Sequence, residues 1–275
     1  MIAPLHSDPH RLPFAAINLV GDFLARCVTV AWPCEIVRGF LPYGATLGPQ
    51  QLTPPGTHPV LLFFYDMFQV HMTIPNPLPT MTYHEHVIGV PDVWVRNGNG
   101  WGCDAGPFFF MPRLLLNNFW STLGGLVYWG YPKRLSRIVV TGDHFAVSDL
   151  SGAPQVSLDF VGHGELRPID HFPHFAPLRA AMEQPMLAEM PLGMGPIAVC
   201  SRFDKHWPTV TMRPLSTAVR IDQAFIPGLP CGRFPGQGMS PGIDHGPLGS
   251  YEFRAHFRQT VPYPWTLHRA LQHPR

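Results

Sequence analysis

The chain has 275 residues, enough for one large domain or two small ones. Charged residues make up 13%, about half the usual share, and hydrophobic residues 45%, so there is a core to bury and too little charge to keep the chain open in water. Nineteen Lys and Arg against 18 Asp and Glu leave a net charge of +1, without the basic excess expected of a nucleic-acid-binding protein.

The most apolar run, Phe108 to Leu116, is interrupted by Pro112 and Arg113 and falls far short of the ~20 residues of a membrane span. Residues 1–13 carry His, Asp and Pro rather than a basic then apolar segment, so no signal peptide is read there. Cys27, Cys34, Cys103, Cys200 and Cys231 are odd in number, widely spaced and without a C-x-x-C pair. They are expected to be reduced, buried thiols of a cytoplasmic protein.

In chain order, Arg26 to Trp32 alternates and is rich in Val and Thr, which predicts a strand. Cys34 to Phe40 reads as a short helix entered after Pro33. Val60 to Val70 and Met81 to Val95 are strand-like, aliphatic and aromatic. Asn118 to Val127 is the best helix, with Asn117 as the expected N-cap and Phe119, Leu123 and Val127 recurring on one face. Gly124 and Gly125 weaken it by roughly 1 kcal/mol each. Strands follow over Arg137 to Val147 and Gln155 to Val161, then a helix over Leu178 to Glu189 broken at Pro185. Further strands are read over Ile197 to Phe203, Thr209 to Met212, Ala218 to Ile226 and Tyr251 to Phe257. Ile226 to Gly249 is dense in Gly and Pro and reads as a long loop, a lid or an oligomer contact. The pattern predicts one mainly β, antiparallel domain over 1–275 with a few short helices.

Of the 19 basic residues only Lys133 and Lys205 are lysines. Arginine never deprotonates, so a position that needs a nucleophilic amine must keep Lys. Lys133 follows Tyr128, Trp129, Tyr131 and Pro132 and precedes Leu135, apolar surroundings in sequence, with Arg134 as a permanent neighbouring charge. Burial and an adjacent cation both favour the neutral amine over the ammonium that dominates at pH 7. Lys205, in Asp204-Lys205-His206-Trp207, is expected in a solvated turn between strands.

Other motifs are weaker. His84-Glu85-His86 puts two imidazoles on one face of a strand, a possible metal pair, but no Glu follows before Glu165. His171-x-x-His174 lies in a Pro/Phe-rich loop without helical context. No serine-hydrolase elbow, phosphate-binding loop or dinucleotide fingerprint is present.

The segment 113–135, with its strand end, Asn, short Gly-containing helix and Gly130-Tyr131-Pro132-Lys133-Arg134-Leu135 turn, resembles the acetoacetate decarboxylase family. Tyr83-His84-Glu85 is similar to that family's strand carrying a Tyr and a catalytic Glu. Val30 to Pro42, ending Phe40-Leu41-Pro42, is similar to its N-terminal strand, helix and Leu-Pro turn. The resemblance is tight over about 113–135, looser over about 26–95, and a matter of strand pattern after 136. The sequence departs from the family at Gly125-Leu126, where Arg-Glu is usual, and at Arg134, where a second Lys is usual. Phe64 or a neighbour replaces an acidic residue. The N-terminal arginine that holds the substrate carboxylate has Arg26 nearby, while an ungapped match puts Phe23 there.

The resemblance implies a large curved antiparallel sheet forming a β-cone or barrel. It implies a Schiff-base lyase acting on a keto acid, with Lys133 as nucleophile, Glu85 in proton transfer and Arg134 perturbing the amine, an activation known for this family. Tyr131, Tyr83 and Arg26 are the expected substrate-binding residues. Neither metal nor organic cofactor is expected, and the partners are a small keto acid and further copies of the chain, not nucleic acid or membrane. The alternatives are an aldolase-dehydratase using the same lysine iminium and a non-catalytic binding barrel.

Overall fold

A computed structural model describes residues 18–42, 44–73, 79–95, 105–188, 203–235 and 249–260. The elements are β1 (Asn18–Pro33), α1 (Cys34–Arg38), β2 (Ala45–Leu47), β3 (Thr57–Met72), β4 (Met81–Val95), β5 (Ala105–Leu116) and α2 (Phe119–Tyr128). They continue with β6 (Lys133–Leu135), β7 (Arg137–Thr141), β8 (His144–Ser148), β9 (Pro154–Gly162), β10 (Arg167–Pro168), α3 (Ala176–Met182) and β11 (Met186–Ala188). β12 (Phe203–Lys205), β13 (Thr211–Ile221), β14 (Gly232–Pro235) and β15 (Ser250–Thr260) complete them. The strands join in one sheet, mostly antiparallel, whose main path runs β11-β5-β4-β3-β1-β15-β13-β9-β8-β7 and curls into a nearly closed barrel.

Two cores lie on opposite faces of this sheet, which is why its central strands are apolar almost throughout. On β1, Leu19, Phe23, Ala25 and Cys27 enter one core while Val28, Val30 and Trp32 enter the other. On β3, Leu61, Phe63, Tyr65 and Met67 share the first core, and Val60, Leu62 and Phe64 the second. The period of two decides the side, and each fully buried Phe or Leu contributes roughly 1.5–3 kcal/mol. The first core is hollow, and its hollow is the site.

Some sequence expectations shift. Arg137 to Val147 is a hairpin, not one strand: Gly142, at φ +55°, starts the turn between β7 and β8. Thr209 to Ile226 holds one long strand, β13, running through Pro214, with β9 and β15 paired to different parts of it. Helix α3 ends before Pro185, and Met186–Ala188 becomes a strand parallel to β5. Part of the Ile226 to Gly249 segment forms β14, while 236–248 lies outside the described residues, as does nearly all of the strand expected over Ile197 to Phe203. Cys27 is buried as expected, but Cys231 is exposed.

Helix α2 is turned over relative to its apolar stripe. Phe119, Leu123 and Val127 are exposed, at 58%, 40% and 66%, while Ser121, Thr122, Gly124 and Gly125 are buried. The reason is close approach: small side chains let the helix sit directly on the lysine segment that follows it. Among the described residues no helix is long and apolar enough to cross a membrane.

Candidate active site

The site is built by the turn from α2 into β6. Asn118, not Asn117, caps α2, its Oδ1 accepting from the Ser121 N–H at 2.8 Å. Asn117 instead accepts from the His84 N–H at 2.8 Å, which ties the helix entrance to β4 beside Glu85. After α2, Gly130 takes φ +63°, a left-handed conformation that suits glycine, and the Tyr131 N–H returns to the Gly125 carbonyl at 3.0 Å. The chain then enters β6 parallel to β5, with Lys133 opposite Leu114. Leu114 faces the first core, so Lys133 faces it too.

Glu85 arrives on the same side from β4, opposite Tyr65 and Leu116. The Lys133 Nζ lies 3.4 Å from Glu85 Oε1 and donates to Ser121 Oγ at 3.2 Å. Both charged side chains are enclosed, 7% and 6% exposed. Burial raises the proton affinity of the Glu85 carboxyl above the ordinary carboxylate range, opposed by the Lys133 charge and by a hydrogen bond from Tyr83. Tyr83 is itself pushed well up, first by burial and then by the Glu85 charge. Its ring lies 5.9 Å from the Lys133 Nζ.

Gly125 gives the lysine its path. A Cβ on Gly125 would lie 2.3 Å from Lys133 Cδ and 2.6 Å from Cε. The absence of a side chain there is what lets the Lys133 stem run along the helix into the hollow.

The hollow and its mouth together span about 650 Å³, open solvent included. Its walls are aromatic, aliphatic and thioether side chains, including Phe63, Phe109, Leu114 and Phe257. Tyr131 lines it as expected, with its hydroxyl accepting from Gln259 Nε2 at 2.6 Å. That bond joins the β6 side of the chamber to β15.

Two expected residues are elsewhere. Arg26 does not line the chamber: it lies on the opposite face of β1, 2.9 Å from Asp66 Oδ2 and 3.4 Å from Glu252 Oε2, over the Phe160 ring. Even and odd positions of β1 face opposite ways, and the residue on the chamber side is Phe23. Arg134 is exposed, because its neighbour Lys133 points inward and β6 alternates. Its guanidinium is solvated and outside the chamber, so it is not the neighbouring cation inside the pocket that the sequence suggested.

His84 and His86 share a face, as their spacing requires, but it is the face away from Glu85. His84 Nδ1 pairs with Asp66 at 2.8 Å, while His86 Nδ1 meets the Phe63 carbonyl at 2.9 Å. Burial lowers His86 to about 3. No cluster of three or more potential metal ligands occurs among the described residues.

Sequence reasoning missed one lysine. Lys205 is buried, 7% exposed, and lines the same chamber. It is opposite Phe257 in the β12–β15 pairing, so it shares that residue's inward face. The scarcity of lysine was the available signal, and it applied to Lys205 as much as to Lys133. Ser121 and Gln259 carried no sequence signal.

The sequence matches no protein-family model and no curated protein. Solved structures do resemble the fold. An acetoacetate decarboxylase from Legionella pneumophila is 13% identical, with TM-score 0.58 over 90% of this chain and 86% of its own. A second acetoacetate decarboxylase is 14% identical, with TM-score 0.54 over 89% of this chain and 86% of its own. MppR, an enduracididine biosynthesis enzyme complexed with pyruvate, is 15% identical, with TM-score 0.52 over 91% of this chain and 90% of its own. The chain therefore has the acetoacetate decarboxylase-like fold. At 13–15% identity the likeness to these three is one of fold.

Proposed function

We propose that this protein is a Schiff-base-forming lyase that acts on a small keto acid through Lys133. The observation that carries the reading is an enclosed primary amine, 3.4 Å from a buried carboxyl group, at the wall of an apolar chamber. An amine attacks a ketone only when uncharged, and a carboxyl group within reach can receive or return its proton.

The Lys133 nitrogen adds to the ketone carbon, and the resulting carbinolamine loses water to give an iminium. In a β-keto acid the bond to the carboxylate then breaks. Its electrons pass through the new carbon–carbon double bond to nitrogen, giving an enamine and CO2. Protonation at carbon and addition of water release the ketone and restore the amine. Glu85, with its raised proton affinity, is the acid and base for these transfers, and Tyr83 positions it. Tyr131 shapes the wall beside the imine.

A second reading uses the same iminium. A 2-keto acid carries its carboxylate on the iminium carbon itself, so the electron flow above is closed to it. Loss of an α-proton to Glu85 gives an enamine that attacks an aldehyde and then sheds water. The likeness of the fold to MppR, solved with pyruvate, supports keeping this reading second.

The test is to supply β-keto acids, and separately 2-keto acids with aldehydes, and to follow CO2 release and condensation product. Turnover of either kind that disappears in Lys133→Ala is the expected result. Full turnover in that variant would refute the assignment.

A further inference from the structure

Among the described residues the chamber holds two lysines but one carboxylate. Among its lining residues the charged side chains are Glu85, Lys133 and Lys205, and Glu85 is engaged with Lys133. The Lys205 Nζ donates to the carbonyls of Met182, at 3.2 Å, and Phe203, at 3.4 Å, and lies 4.9 Å from the Phe203 ring centroid and 5.5 Å from that of Trp207. Among the described residues no carboxylate is within ion-pair distance of it. The direct partners of this enclosed ammonium are neutral, and Glu183 and Asp204 act on it only from beyond ion-pair distance, so its charge is incompletely compensated and an anion entering the chamber would supply the rest.

The two amines are separate. They share no partner: Lys133 contacts Glu85 and Ser121, while Lys205 contacts the end of α3 and its own strand. They also come from opposite flanks of the five-strand arc β5-β4-β3-β1-β15, since β6 pairs with β5 and β12 with β15. Apolar side chains, Phe63, Met67, Phe109 and Met111 among them, line the chamber they share.

We propose that Lys205 is the anion-binding group of this chamber, taking the carboxylate of a keto acid whose ketone meets Lys133 and whose carbon chain rests on the apolar wall. This rests on the reading of Lys133 as the imine lysine. Holding an anion on a cation opposes its conversion to neutral CO2. The carboxylate at Lys205 is therefore one that stays on the substrate, and the substrate class is a keto acid that carries, besides any group lost next to the ketone, a carboxylate remote from it. Burial, which lowers the Lys205 amine to about 8, leaves it mostly charged at neutral pH and so able to serve.

The experiment uses the whole protein and its Lys205→Met variant, with three probes. 5-Oxohexanoate and the neutral ketone 2-hexanone are trapped with cyanoborohydride, and hexanoate binding is followed by calorimetry. The proposal expects the ratio of half-saturating concentrations, keto acid over neutral ketone, to rise at least about tenfold in the variant, with the adduct mapping to Lys133. An unchanged ratio, or an adduct on Lys205 in the unmodified protein, would overturn it. Hexanoate has no ketone, so it tests Lys205 apart from the imine. Binding that Lys205→Met abolishes supports the anion site even if no ketone labels Lys133, and binding that is absent or unaffected overturns it.

Discussion

Lys133 occupies the space that a side chain on Gly125 would fill, its Cδ 2.3 Å from where a Cβ would stand. A helix glycine that lowers α2's own propensity is thus what admits the amine to the chamber. Gly125→Ala is expected to favour the helix by about 1 kcal/mol and to displace the amine. Thermal unfolding and reductive labelling of Lys133, measured together, should show labelling falling while stability does not. Undiminished labelling would mean that the lysine has another route inward.

With Glu85 as the proposed acid and base, its carboxyl group is expected to set the acid limit of activity. Its folded proton affinity is raised by burial, so the carboxylate form is lost on lowering pH sooner than for an exposed glutamate. The acid limb of the pH–rate profile should lie above the ordinary carboxylate range and should vanish in Glu85→Gln. Turnover in that variant should fall by roughly 10²–10⁴.

Lys205 is a buried cation that costs stability. Its amine stands at about 8 in the folded protein against 10.5 when free. Burial is the first cause, opposed by the charges of Glu183 and Asp204. Between these values the unfolded chain binds the extra proton, so stability rises with pH through this window and the cost is fully present below about 8. Lys205→Met should therefore be the more stable protein near pH 7, by at most on the order of 3 kcal/mol, and the advantage should shrink as pH rises from about 8 and be lost above about 10.5. Denaturant unfolding at several pH values measures this.

Arg26 belongs to the frame. With its side chain 7% exposed between Asp66 and Glu252, its removal leaves carboxylates short of a partner in the second core. Arg26→Leu should cost about 3 kcal/mol by chemical denaturation. The keto-acid concentration needed for half-maximal turnover should not change. A selective rise in that concentration would return Arg26 to the substrate.

The parts of the site legible in sequence were those fixed by neighbours in the chain. The aromatic-Pro-Lys turn after a helix singled out Lys133, and Tyr83-His84-Glu85 singled out Glu85, and the fold sets the two side chains 3.4 Å apart. Arg134 was misread because its direction depends on β6 being a strand, where adjacent residues must oppose each other. Lys205 was misread for a longer-range reason. Its inward turn is set by pairing with Phe257, 52 residues away, and nothing within Asp204-Lys205-His206-Trp207 encodes that register. The face of α2 was inverted because closeness to Lys133 outweighed the burial of Phe119, Leu123 and Val127.

The most direct test is the mass of the peptide bearing residue 133 after the protein meets a panel of keto acids and borohydride. A mass increase equal to the reduced keto-acid adduct, confined to that peptide and absent from Lys133→Ala, is the predicted result. An unmodified peptide across the whole panel, in a folded protein that still turns over a keto acid, would contradict the account.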